Sequence, residues 1–162
     1  MKEKILLLLL SSIVSFSQAA NQTTNINSSA SISAKCSISG NKIDFGDVSP
    51  RNSGFISVSS LLKTVCTKST AYNIVIGAGE NGNILNRKLK ASSSINNDTL
   101  TYTIYDSPSF TNIVGDGTNG TVTLSGVGTG TLEDIVIYGY LNLKQYISPD
   151  YYYDNLSVII NY

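Results

Sequence analysis

From residue 26 onward the chain alternates in steps of two. Ile26, Ser28, Ala30, Ile32 and Ala34 fall on one side, and Asn27, Ser29, Ser31 and Ser33 on the other. Tyr72, Ile74 and Ile76 repeat the pattern, as do Leu100, Tyr102 and Ile104 against Thr101, Thr103 and Tyr105, and finally Leu156, Val158, Ile160 and Tyr162. Successive side chains of a strand point to opposite faces, so this period predicts strands with one buried face. Thr121–Leu124 and Leu132–Tyr140 add further short runs rich in Val, Ile, Thr and Tyr, the residues that suit a pleated surface. No sustained 3.6-residue apolar period competes with them. Arg87-Lys88-Leu89-Lys90 reads as a single helical turn. Between the runs lie Ser39-Gly40-Asn41, the Ser49–Gly54 stretch with Pro50, Gly77 to Asn83, Asn96-Asn97-Asp98, Gly115 to Gly120 and Ser148-Pro149-Asp150. There Gly and Asn supply positive φ and Pro presets its own. Short strands at this spacing predict an all-β, immunoglobulin-like antiparallel β-sandwich. The 162 residues suffice for one such domain, with no internal repeat or linker.

The first residues follow a different logic. Lys2 and Lys4 precede an apolar run from Ile5 through Phe16, and Ser17-Gln18-Ala19 puts small residues where a signal peptidase cuts. Residues 1–19 are therefore expected to be a secretory signal removed before Ala20, with Asn21 the neighbouring alternative. Ser11, Ser12 and Ser15 leave the apolar run too short to span a bilayer comfortably. Export would place Cys36 and Cys66 in an oxidising compartment, where an even number of cysteines favours pairing. The alternative, a redox or free thiol pair, is disfavoured by their wide spacing and the absence of C-x-x-C.

Composition then removes whole classes of activity. There is no His and no Trp, and only 14% of residues are charged. Without imidazole there is no Ser-His-Asp or Cys-His catalysis, and two cysteines alone do not close a structural zinc site. Lys+Arg and Asp+Glu each number 11; without the signal, 9 basic face 10 acidic side chains, too little positive charge for a nucleic-acid partner. No enzymatic activity, cofactor or metal is expected. Gly77-Ala78-Gly79-Glu80-Asn81-Gly82 spells G-x-G-x-x-G, but no helix follows to hold a pyrophosphate, so it reads as a turn. Asp116-Gly117-Thr118-Asn119-Gly120 lacks the alternating carboxylates of a calcium loop. Glu133 and Asp134 are adjacent and point to opposite faces of a strand, and Asp44 and Asp47 flank a Phe45-Gly46 turn. Tyr151-Tyr152-Tyr153 reads as the start of a strand with alternating rings, with a sugar-stacking platform as the alternative.

Several short stretches, in order, resemble the spore coat protein U domain family, whose members include the pilins of archaic chaperone–usher pili. An alternating strand leads into Cys36, followed by Phe45-Gly46-Asp47-Val48-Ser49-Pro50, similar to the family's F-G-x-x-x-P stretch. Leu100-Thr101-Tyr102-Thr103-Ile104-Tyr105-Asp106 is similar to L-x-Y-x-L-Y, and Gly115-Asp116-Gly117 to W-G-D-G, with Val114 in place of Trp. Ile137-Tyr138-Gly139, Tyr153-Asp154 and the terminal Leu156–Tyr162 run resemble the closing region, although Leu141–Ile147 lacks the Gly or Pro expected there. The resemblance implies a structural pilin subunit: residues 20–35 an N-terminal extension, and residues 36–162 a sandwich that lacks its last strand. Residues 22–34 would be the donor strand, with Ile26, Ala30 and Ile32 as knobs and Ser28 and Ala34 in the same register. Leu156, Val158 and Ile160 would line the acceptor groove, and Tyr162 would face a periplasmic chaperone. The implied partners are that chaperone, an outer-membrane usher and neighbouring subunits, in a surface fibre serving adhesion or biofilm formation. The alternatives are a coat protein that inserts its own N-terminal strand and an adhesin or lectin-like surface-binding module.

Overall fold

A computed structural model describes residues 18–49, 54–143 and 145–162. Residues 1–17 of the expected signal and most of the turn around Pro50 lie outside these residues. The chain divides into two units, 1–31 and 32–162. In the first, residues 18–31 carry no strand or helix and are exposed throughout. The expected strand over residues 26–34 is thus absent. A lone extended segment has no ladder to satisfy its N–H and C=O groups, and alternation by itself does not supply one.

The described residues of the second unit form nine strands, and none of them is helical. They are β1 (Cys36–Gly40), β2 (Phe55–Cys66), β3 (Ala71–Ile76), β4 (Arg87–Ala91), β5 (Thr99–Tyr105), β6 (Leu124–Val127), β7 (Leu132–Asn142), β8 (Tyr152–Tyr153) and β9 (Val158–Asn161). One sheet has the order β1-β2-β7-β5-β4-β8 and the other β6-β3-β9. Every strand pair is antiparallel. The two sheets bury their facing sides together, Ile74 and Ile76 of β3 against Leu62, Ile104, Ile137 and Leu141. This is the expected sandwich.

Runs of period two became β3, β5, β7 and β9, the last trimmed to its central residues. Thr121–Leu124 did not form one strand: Val122 makes a single parallel bridge to Val114, and Leu124 opens β6. Arg87–Lys90 is not a helical turn but the body of β4, paired residue for residue with β5 from Arg87↔Tyr102 to Lys90↔Thr99. Arg87 and Ala91 are buried while Lys90 is exposed, so the period of two overrode good helix formers.

Cys36 and Cys66 are disulfide-bonded, as expected, and lie directly opposite each other in the β1–β2 ladder. After β1 the chain crosses the inner face of the larger sheet. Ser60 Oγ on β2 donates to Asn41 O at 3.0 Å, Ile43 and Phe45 lie over Gly139 of β7, and the Phe45 ring meets Tyr102 of β5 edge-on at 6.1 Å. A Cβ on Gly139 would stand 2.5 Å from Ile43 Cγ2, so only glycine lets the crossing segment lie this close. On the outer face of the same sheet, Phe55 stacks on Tyr140 at 4.7 Å, and Phe110 reaches both Tyr140 and Tyr105, at 5.3 and 5.4 Å.

Candidate functional site

A sandwich protects its core only where strands close its sides. Here one side stays open. β9 is bonded to β3 through Asn73↔Asn161, Ile74↔Ile160, Val75↔Ile159 and Ile76↔Val158, and no described strand pairs with its other edge. β1, one of the two edge strands of the larger sheet, runs beside β9 without a ladder between them. Leu156, Val158 and Ile160 point inward from this edge, and Ile38 does so from β1. All four pack on the core yet stay partly exposed. Ile159 and Tyr162 are exposed. The seam therefore couples an apolar floor to unpaired main-chain groups, the combination an added strand would fill. The three predicted groove residues come together there, with Tyr162 at its end.

The predicted knobs are all exposed, Ile26 by 89% and Ile32 by 83%. The unit that follows is anchored at Lys35, whose N–H donates to Thr67 Oγ1 at 3.0 Å and whose carbonyl accepts from Thr67 N–H at 2.9 Å.

The head of the seam contains residues that the sequence reading missed. Arg87 is fully buried, and all four of its hydrogen bonds go to backbone carbonyls: Nε to Gly77 at 2.9 Å, Nη1 to Ile84 at 3.1 Å, and Nη2 to Ile76 at 3.0 Å and Val114 at 2.9 Å. Burial lowers its pKa from the usual guanidinium value. Beside it, Tyr102 OH donates to Asp154 Oδ2 at 2.8 Å; burial, then this carboxylate, pushes the phenol well above its ordinary range. Asp154 Oδ1 accepts from Glu80 N–H at 2.9 Å and from Asn81 Nδ2 at 3.4 Å. The one trace of Arg87 in the sequence was its place in an Arg87, Leu89, Ala91 alternation between two outward lysines.

The chemistry-like motifs resolve into turns. Gly79 has φ +82°, and a Cβ there would collide with the Asp154 carboxylate, so the G-x-G-x-x-G stretch is a loop folded around that side chain. Asp116 Oδ1 accepts from both the N–H and the Oγ1 of Thr118, which hold its carboxyl below the usual carboxylate range. Tyr151 and Tyr153 stack at 6.3 Å on the exposed side of β8, while Tyr152 donates to Ser148 O at 2.7 Å. Among the described residues, no group of three or more His, Cys, Asp or Glu could hold a metal ion.

A search of curated protein sequences finds no match. Among solved structures, the fold is similar to the CsuC–CsuE chaperone–tip adhesion subunit pre-assembly complex from archaic chaperone–usher Csu pili of Acinetobacter baumannii. That likeness has a TM-score of 0.59 at 18% identity and covers 80% of this chain, which spans 40% of the matched chain's length. The Spore Coat Protein U domain family matches residues 22–159. With an all-β sandwich, the predicted disulfide and a match over most of its length, the chain belongs to the Spore Coat Protein U domain family.

Proposed function

We propose that this chain is a structural pilin subunit of a chaperone–usher fibre, exported through the periplasm and polymerised by donor-strand complementation. The observation that carries this reading is the open seam between β1 and β9, apolar inside and unpaired at its edge. Residues 22–34 are the donor, with Ile26, Ser28, Ala30, Ile32 and Ala34 facing a neighbour's seam. This segment is one residue longer than β2, which at 12 residues is the longest strand of the sandwich. It is long enough to run the height of the fold. A periplasmic chaperone covers the seam before assembly, and an outer-membrane usher exchanges it for the next subunit's strand. Adhesion or biofilm formation would be the property of the assembled fibre.

The anchoring of Lys35 weighs against self-insertion. β1 leaves Cys36 antiparallel to β2, and the short arch Thr67–Thr70 sends β3 back antiparallel to β2 as well, so β1 and β9 run in opposite directions. With both backbone groups of Lys35 held by Thr67, a fold-back would have to turn within the residues just before it. The turn would use up Ile32 and Ala34, and the remainder would run parallel to β9. A neighbour's strand can enter antiparallel to β9 with all five knobs in register.

The test is export of wild type, Ile32→Asp and a deletion of residues 20–33, followed by unheated non-reducing gels. Wild type should give a ladder that collapses on heating, and both variants should remain single subunits, since Ile32→Asp would bury an unpaired charge. Ladders from either variant would refute the donor assignment. A wild-type monomer that the deletion destabilises would favour the coat protein that inserts its own N-terminal strand.

A further inference from the structure

The structure poses a mechanical problem at the seam. β9 has four residues and a partner on one side only. Short edge strands with few bonds are the first to open locally, yet an incoming strand needs β9 in place as its template. A set of seven hydrogen bonds addresses this at the head of β9. The ladder between β3 and β9 ends at Ile76↔Val158, and Gly77 N–H donates to Ser157 O at 2.9 Å just beyond it. The carbonyls of Ile76 and Gly77 are both taken by the Arg87 guanidinium. Arg87 also takes Val114 O, while Ile76 N–H donates to Gly115 O at 3.2 Å. Asp154 then secures the residues leading into β9, to Tyr102 on the larger sheet and to Glu80 on the loop after β3.

We propose that Arg87 and the Tyr102–Asp154 pair form a clamp that positions β9 as an acceptor edge while it still lacks its partner strand. Arg87 belongs to β4 in one sheet, and two of the carbonyls it holds, those of Ile76 and Gly77, lie at the end of β3 in the other. One side chain thus ties the sheets together where the ladder stops. A planar guanidinium directs five N–H groups in a fixed fork, and four of them are used here. Lysine offers three donors from a single point and does not reach carbonyls spread over three segments. Among the described residues no carboxylate hydrogen-bonds Arg87, which fits this role: the group is spent on backbone geometry rather than on charge pairing. The inference rests on the reading of the seam as an acceptor site, and its test separates the two.

The exported chain, carrying Ile32→Asp throughout so that it stays a single subunit with an open seam, is compared as wild type at the clamp, Tyr102→Phe, Arg87→Lys and Arg87→Met. Each is followed by amide hydrogen exchange and by uptake of a labelled peptide with the sequence of residues 20–35. Tyr102→Phe is the mild variant that keeps the ring and the fold. The clamp predicts at least tenfold faster exchange at Gly77, Ile159 and Asn161, whose N–H groups face the β3–β9 ladder, in Tyr102→Phe and Arg87→Lys, and more in Arg87→Met. Amides of the β2–β7 ladder should stay within about twofold of wild type. Peptide uptake should slow in the same order. Unchanged exchange at β9, equal acceleration in β2–β7, or selective acceleration with unaltered uptake would each overturn the clamp. Failure of wild type to take up the peptide would instead refute the acceptor reading, while the exchange pattern still decides whether these residues hold β9.

Discussion

Reduction of the Cys36–Cys66 bond is expected to cost this domain a sizeable share of its stability. The bridge joins the first residue of β1 to the last of β2 across a sequence separation of 30. In the chain-entropy picture a loop of that size removes about 12 cal/mol/K from the unfolded ensemble, which is about 3.6 kcal/mol at 25 °C. Both thiols stay in place on reduction, so packing changes little and the cost is that of the lost cross-link. With a urea dependence of about 2 kcal/mol/M for a domain of this size, the midpoint should fall by roughly 2 M. The chain has no Trp but 10 Tyr, so the assay is urea unfolding followed by far-ultraviolet circular dichroism and tyrosine fluorescence, with and without reductant. The two signals should coincide in each condition. A midpoint shift below about 0.5 M with unchanged slope would refute the reasoning. It would mean either that the reduced, unfolded chain keeps β1 near β2, or that oxidised β1 is strained by an equal amount.

Gly139→Ala should destabilise by about 1–3 kcal/mol through crowding of the crossing segment; adding Ile43→Ala, which removes the atom that a new Cβ would strike 2.5 Å away, should make the second change cheaper in the altered background than in wild type, as read by a double-mutant cycle in urea. Ile104→Ala, at a fully buried position of β5, should cost about 2–5 kcal/mol in the same assay, and a loss below 1 kcal/mol would show that the site collapses or is not core. Tyr72 and Tyr102 are both pushed up, chiefly by burial and then by Glu133 and Asp154 respectively. The unfolded chain therefore ionises first, so stability is full below about pH 10 and declines as pH rises beyond it. Tyr102→Phe should make that alkaline decline shallower, and an equal slope in wild type and variant would refute the assignment. Asp98 is held low mainly by the backbone N–H of Ser148, so it favours the folded state above its ordinary pKa and loses that contribution as pH falls; Asp98→Asn should flatten the acid limb below about pH 4.

The sheets were legible because each strand buries one face. Leu100, Tyr102 and Ile104, or Leu156, Val158 and Ile160, declare that face by position alone, and the same alternation exposed the lining of the seam. Where several residues share the work at a distance, nothing declared it. The partners of Arg87 are carbonyls of Ile76, Gly77, Ile84 and Val114, and a carbonyl carries no residue identity for a sequence to reveal. Four good helix formers in a row concealed β4, and only its pairing with β5 decides its form. The long β2 was equally hard to see: its outward face mixes Phe55, Ser57, Ser59 and Leu61 with Lys63, so its alternation is blurred although Ser60, Leu62, Thr64 and Cys66 are all buried. The crossing of residues 41–48 over the inner face depends on a glycine in a strand nearly a hundred residues later in the chain.

The attachment of Lys35 has a consequence for a fibre under tension. If each subunit hangs from the strand it lends to its neighbour, a pull on that strand enters the sandwich at Lys35, next to Cys36. Hydrogen bonds loaded one after another from a free end peel apart at low force. Here the first pair of the β1–β2 ladder is covalent, so the pull passes straight to β2 and from there into the 11 register pairs that join β2 to β7. Those pairs share the force instead of meeting it in turn. Stretching should therefore draw out the lent strand, or the links between subunits, before it unravels a domain, and reduction should reverse that order.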